Sequence, residues 1–437
     1  MNSPMRNGPL YSVLCYVGFT FALIVFGPIT YYGFDPFLTG LFLFAIMISI
    51  AVGYMIGNAS YDMRARSRRL ASGKPFNIVP LFYVCLGLAL LGLGASVAQA
   101  MLTNTLNLSP SEIGQSYIDT YQDYDRNSGD YSLTFVIYSL TLAPSFIATV
   151  WGLFYYKDLS FVARLAVVAL VLGNLAFYVI GSGKQKQLGD TIIYLIAIGS
   201  IWYARSGRAV NIKLLLPSVV LTPFVLYAFI YILSQRYSAM SVDALNINVK
   251  ANYLQSYNLD HPVFKLFGYD AGFGMSMLAG YLSQGYFGLS LALHSGWTWS
   301  YMIGFSYSLT VIANRVFDLP WVIDRTYPYI VGRETGWAES KWHSTFASWA
   351  SDFTFPGTVI LFGFFAFVMA RAWRESVDFE NPFAILLFTL MTFGAFFIPA
   401  NNQLFISPGS LANVIVVVVL YLLFHWRFNV VRRPARS

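Results

Sequence analysis

The chain has 437 residues, 57% of them hydrophobic and 11% charged, with a formal net charge of +7. A water-soluble surface cannot be built from that balance, so the sequence reads as an all-α polytopic membrane protein. Its two cysteines, Cys15 and Cys85, both lie inside apolar runs, which leaves neither a disulfide framework nor a CxxC metal or redox site.

Apolar stretches of roughly 20 residues, the helical thickness of a bilayer core, recur along the chain, whereas an outer-membrane barrel would alternate over about ten residues. Arg6 precedes the first of them, which lacks a small-residue cleavage pattern and is expected to be retained as a helix. The expected spans are 10–32, 37–59, 79–102, 131–155, 163–181, 189–204 and 214–234. A pair near 272–293 and 297–317 follows, then 347–371, 382–400 and 409–427. The sum is about twelve spans, or ten plus a re-entrant pair, in a single membrane domain over 1–437.

Lys and Arg in short loops set orientation. Five lie in "YDMRARSRRLASGKPF", three in "RSGRAVNIK" and four in the tail "RFNVVRRPARS", and these loops are expected to face the cytoplasm with both termini. Helix parity puts three other segments outside: 103–130, with five acids against one arginine, the short loop "GSGKQKQLGD" (181–190), and a large region over 235–345. Lys184 and Lys186 in that short loop oppose the orientation bias, and either headgroup anchoring or a function explains them. The basic residues sit beside the spans, so nucleic acid is excluded as a partner.

Several external cations facing a membrane groove suit an anionic ligand, because guanidinium and ammonium groups pair with phosphate oxygens. A lipid-linked diphosphate meets that description, and the cations are Lys184, Lys186, Arg236, Arg315, Arg325 and Arg333. In "GRETGWAESKWHSTFASWASDF" (332–353), His343 combines carboxylates, cations and the start of a span. If 337–347 is helical, Glu339 and His343 share one face, so that the carboxylate orients the imidazole as a base. Asp352 follows nine residues on, about 13 Å along a continuous helix, and Pro356 and Gly357 can kink the helix beside it. It is a second candidate base, with a first-turn acid at a helix N-terminus as the alternative. "GYLSQGYFGLSLAL" (280–293) sets Tyr281, Gln284 and Tyr286 among glycines, a lining suited to sugars, although interfacial aromatic belts share that composition.

Together, "GSGKQKQLGD", Arg236 in "SQRYS", "YLSQGYFGLSLAL" and "SWASDFTFPGTVI" resemble the oligosaccharide repeat-unit (Wzy-type O-antigen) polymerases over most of residues 180–370. Arg325 and Gly336 fit an Arg-x10-Gly pattern described for that family, and Arg236 lacks the matching glycine. The resemblance implies a helical architecture like that of the GT-C and SEDS enzymes in the bacterial inner membrane. It implies a periplasmic site that joins undecaprenyl-diphosphate-linked oligosaccharides and releases undecaprenyl diphosphate, with no nucleotide sugar, cofactor or metal. Membrane lipids and a polysaccharide chain-length regulator would be its partners. An O-antigen ligase, acting on the same donor, and a transporter or flippase are the rival readings; the absence of an internal repeat speaks against the latter.

Overall fold

The computed structural model describes residues 6–67, 77–103, 106–107, 109, 112–126, 133–207, 212–242, 246–250, 252–338 and 341–428. The chain is an all-α membrane protein. Among the described residues five helices are long and apolar enough to cross a bilayer: Gly8–Phe26, Pro36–Asp62, Val79–Leu102, Phe161–Gly181 and Ser344–Phe379. Shorter apolar helices cover Ser139–Phe154, Pro382–Phe397 and Pro408–Phe424.

In chain order the longer helices are α1 (Gly8–Phe26), α2 (Pro36–Ser67), α3 (Val79–Leu102), α4 (Ile113–Arg126), α5 (Leu133–Phe154), α6 (Phe161–Leu175), α7 (Lys186–Ser206) and α8 (Ile212–Ala239). After the single turn α9 (Ile247–Lys250) come α10 (Pro262–Ser283), α11 (Gly285–His294), α12 (Tyr307–Phe317), α13 (Tyr327–Thr335), α14 (Ser344–Phe379), α15 (Pro382–Phe397) and α16 (Pro408–Phe428). The region expected to hold a pair at 272–293 and 297–317 is more broken than that. Residues 297–306 are not helical, and the amphipathic α12, at 11 residues, is too short to span.

Helix–helix contact in lipid relies on close packing, because lipid tails are as apolar as the side chains. Helix α2 places Ser49, Gly53 and Gly57 at four-residue spacing against α14. A Cβ on Gly53 would lie 1.9 Å from the Gly363 carbonyl oxygen, and the Ser49 hydroxyl donates to the Val359 carbonyl at 2.6 Å. The same logic joins α3 to α5, where Gly92 lies against Thr141.

Helix α14 is two helices. Thr354 adopts φ +61°, dividing a short segment, 344–353, from the spanning segment 355–379. The break falls two residues before the expected Pro356–Gly357. Proline is tolerated in a first helical turn, so the second segment begins ahead of it, and the Thr354 hydroxyl accepts from the Gly357 amide at 3.4 Å.

Ionic contacts gather the two ends differently. At one end Asp62 pairs with Arg6 at 2.6 Å and Arg374 at 3.2 Å, while Arg205 pairs with Glu380 at 2.6 Å. The other end is tied by a short antiparallel ribbon in which β1 (Ile29–Tyr31) pairs with β2 (Gln255–Tyr257), Thr30 opposite Ser256. There the Ser344 amide donates to the Ala400 carbonyl at 3.0 Å, and Gly114 packs on the Gln235 carbonyl.

Candidate functional site

Arg236, in the last turn of α8, is 9% exposed. Its guanidinium carbon lies 3.6 Å from the ring centroid of Tyr117 on α4, and a guanidinium N–H reaches toward the Tyr281 hydroxyl at 3.5 Å. Tyr281 in turn stands edge-on to Trp342 at 4.6 Å. The Arg236 Nε has no hydrogen-bond partner, and among the described residues no carboxylate forms an ion pair with this arginine. A guanidinium is always charged, so the aromatic shelf holds a positive charge that no carboxylate among the described residues pairs.

The loop 182–186 leans on the same shelf. Gly183 takes φ +63°, and a Cβ there would lie 2.6 Å from the Ile113 carbonyl oxygen and 2.7 Å from the Tyr117 Cβ. Only glycine permits that approach, so Tyr117 is a wall shared by Arg236 and the lysine loop. A π-helical turn over Ala176–Gly181 delivers the loop, and the Lys184 amide donates to the Tyr178 carbonyl at 2.9 Å. Lys184 reaches solvent, and the surrounding protein lowers its pKa by displacing water from the ammonium. Lys186 is already partnered: its Nζ lies 2.6 Å from Asp190 Oδ2 and 5.1 Å from the Phe393 ring centroid.

His343 is 3% exposed and immediately precedes α14. Its Nε2–H donates to the Ala338 carbonyl at 3.1 Å, which leaves Nδ1 as an acceptor with no partner, facing Gly288. Burial pushes its pKa down to about 4, so the imidazole is neutral at physiological pH. The expected helix over 337–347 starts only at Ser344, with residues 337, 338 and 341–343 outside any helix; Glu339 lies outside the described residues. The shared helical face that would pair the two side chains is therefore not formed.

Asp352 is enclosed. Oδ1 accepts from the Ser300 hydroxyl at 2.7 Å and the Met302 amide at 2.9 Å, and Oδ2 accepts from the Phe305 amide at 2.7 Å. Tyr301 and Met302 both have positive φ, so this carboxylate holds a strained turn. Tyr286 corrects the expected sugar lining: it is fully buried, its hydroxyl 3.1 Å from the Thr20 hydroxyl, and it belongs to the core. Gln284 donates to the Gln255 Oε1 at 3.3 Å, which couples α10 to β2.

The remaining cations are set apart from Arg236 by their own surroundings. Arg325 lies 4.9 Å from the Trp321 ring centroid and 5.2 Å from that of Tyr301, and it reaches the Trp299 carbonyl at 3.4 Å. Arg315 and Arg333 are exposed. Among the described residues, no group of three or more His, Cys, Asp or Glu side chains is placed to hold a metal ion.

Sequence reasoning missed Tyr117, Trp342, Gln185 and Asp190. Tyr117 stood in a segment read only for its acids, although "IGQSYIDTYQDY" carries its aromatic residues at helical spacing. Asp190 follows Lys186 by one helical turn, a pairing that the spacing alone displays. No protein-family model, curated protein or solved structure matches this chain.

Proposed function

We propose that the protein polymerises lipid-linked oligosaccharide repeats, transferring a growing chain from undecaprenyl diphosphate to the hydroxyl of an incoming repeat. One observation carries this reading: the Arg236 guanidinium on the Tyr117–Tyr281 shelf, unpaired by any carboxylate among the described residues, with the Lys184 loop against the same tyrosine. In glycosyl transfer the bond between the anomeric carbon and the diphosphate oxygen breaks, and negative charge accumulates on the departing diphosphate. Fixed cations in a partly dry site stabilise that charge without reorganising, an effect commonly of 10²–10³ in rate per lost contact. Arg236 and Lys184 hold the diphosphate, and Lys186 adds to the local potential while bound to Asp190. Arg325, Arg315 and Arg333 form an outer basic rim at which the lipid-linked anion is first attracted. Tyr281 and Trp342 supply the faces on which a sugar stacks.

In this reading the chain crosses the inner membrane of a bacterium about twelve times, as spans of roughly 20 residues allow, with both termini cytoplasmic and the site periplasmic. The test is the lipopolysaccharide gel of a deletion strain. Single-repeat caps that the wild-type gene converts to a ladder establish polymerisation. Loss of every repeat, single ones included, indicates a ligase or a flippase instead. Arg236→Ala at unchanged protein level is expected to abolish the ladder, and a full ladder from that variant overturns the assignment of the diphosphate site.

A further inference from the structure

We propose that Asp190 and Gln185 form the subsite for the accepting hydroxyl, with Asp190 Oδ1 as the proton acceptor; this rests on the glycosyl-transfer reading of the site. Asp190 is 5% exposed, and its Oδ2 is held by Lys186 Nζ at 2.6 Å while Oδ1 has no partner. Gln185 is 4% exposed, and neither its Oε1 nor its Nε2 has a partner. Three buried polar atoms on two residues flanking Lys186 in the chain are thus unsatisfied, in a protein interior where such groups are nearly always paired. They present two acceptors and an amide donor, the complement of a hydroxyl that must both give and receive a hydrogen bond.

Asp352 is less available, since it already accepts three hydrogen bonds. Asp190 lies one turn into α7, six residues after Lys184 in the chain, and in this proposal an acceptor bound there meets the donor's anomeric carbon while the diphosphate is held by Arg236 and Lys184. The hydroxyl oxygen attacks that carbon, and the carbon–oxygen bond to the diphosphate breaks with its electron pair going to the leaving group. The proton passes to Asp190 Oδ1, and water removes it afterwards. The Lys186 ammonium fixes the carboxylate by its other oxygen, so that the open lone pairs face the hydroxyl.

The test uses the full chain in lipid nanodiscs, with an undecaprenyl-diphosphate-linked repeat for turnover and undecaprenyl diphosphate for binding. Asp190→Asn is expected to lose 10²–10⁴ in kcat, the range of a removed general base, with diphosphate affinity retained. Asp190→Glu restores part of the rate. Gln185→Ala raises the KM for the repeat about tenfold with a smaller effect on kcat. Arg236→Ala differs by losing diphosphate affinity together with rate. Asp190→Asn turning over at the wild-type rate overturns the proposal, since water alone then occupies the subsite. Joint loss of rate, diphosphate affinity and melting temperature in that variant also overturns it, by making Asp190 a support for Lys186. A wild-type protein that neither binds undecaprenyl diphosphate nor turns over the repeat refutes the underlying reading, and an active one with the Asp190 and Gln185 variants unaffected refutes only the subsite.

Discussion

Asp352→Asn separates a structural carboxylate from a catalytic one. The wild-type side chain accepts from the Ser300 hydroxyl and two backbone amides, at 2.7 Å to 2.9 Å. Asparagine keeps one oxygen, so in its better rotamer it retains Ser300 and Met302 and turns its NH2 on the Phe305 N–H. One charge-assisted bond is lost, two are weakened, and a donor faces a donor. With such bonds contributing about 1.5–3 kcal/mol each, the expected loss is on the order of 3 kcal/mol. Thermal melting of the detergent-solubilised protein should fall by roughly 6–12 °C, at the two to four degrees per kcal/mol of mid-sized domains. Limited proteolysis should cut first within 297–306, the segment this carboxylate holds. An Asp352→Asn protein with unchanged melting temperature and abolished turnover would refute the reasoning and return Asp352 to the chemistry.

Other expectations follow from single contacts. His343 stays neutral when folded but titrates normally when unfolded, so stability is full above about pH 6.5 and falls as the pH drops toward about 4. The loss is on the order of 3 kcal/mol, and His343→Gln should flatten that acid slope in pH-dependent melting. Gly53→Leu drives a side chain onto the Gly363 carbonyl oxygen and should part α2 from α14, seen as low yield of folded protein or a melting temperature well below wild type. Tyr286→Phe removes one buried hydrogen bond, to Thr20, and should cost about 1 kcal/mol of stability with little change in turnover. Trp342→Ala should raise the KM for the repeat, because its ring braces Tyr281.

The spans were legible because a helix that crosses lipid must be apolar for its whole length, and the chain shows this plainly at 79–102. The polar end was less so, for three physical reasons. "WTWSYM" has the composition of a span, yet its backbone forms a turn around Asp352, a contact fifty residues away that no local period reports. The pairing of Ile29 with Tyr257 depends on chain closure over more than half the protein, so nothing local to "ITY" announces a strand. The basic residues were visible as charges, but the sequence did not say which were neutralised. Lys186 carries its own carboxylate one turn away, whereas Arg236 meets aromatic rings and a hydroxyl and no carboxylate among the described residues. Glycine positions carried a signal as well: Gly183 and Gly53 mark where backbones touch, and the partner they touch comes only from the fold.

The break at Thr354 bears on how the chain enters the membrane. A continuous helix satisfies its own carbonyls, but a break leaves those just before it in need of outside donors, and here the Ser351 carbonyl accepts from the Trp297 indole at 3.1 Å and the Ser300 hydroxyl at 3.2 Å. Both donors lie on a segment synthesised before α14. During biogenesis residues 344–353 lack these donors until 297–306 has folded against them, so the last part of the protein assembles behind a segment made before it.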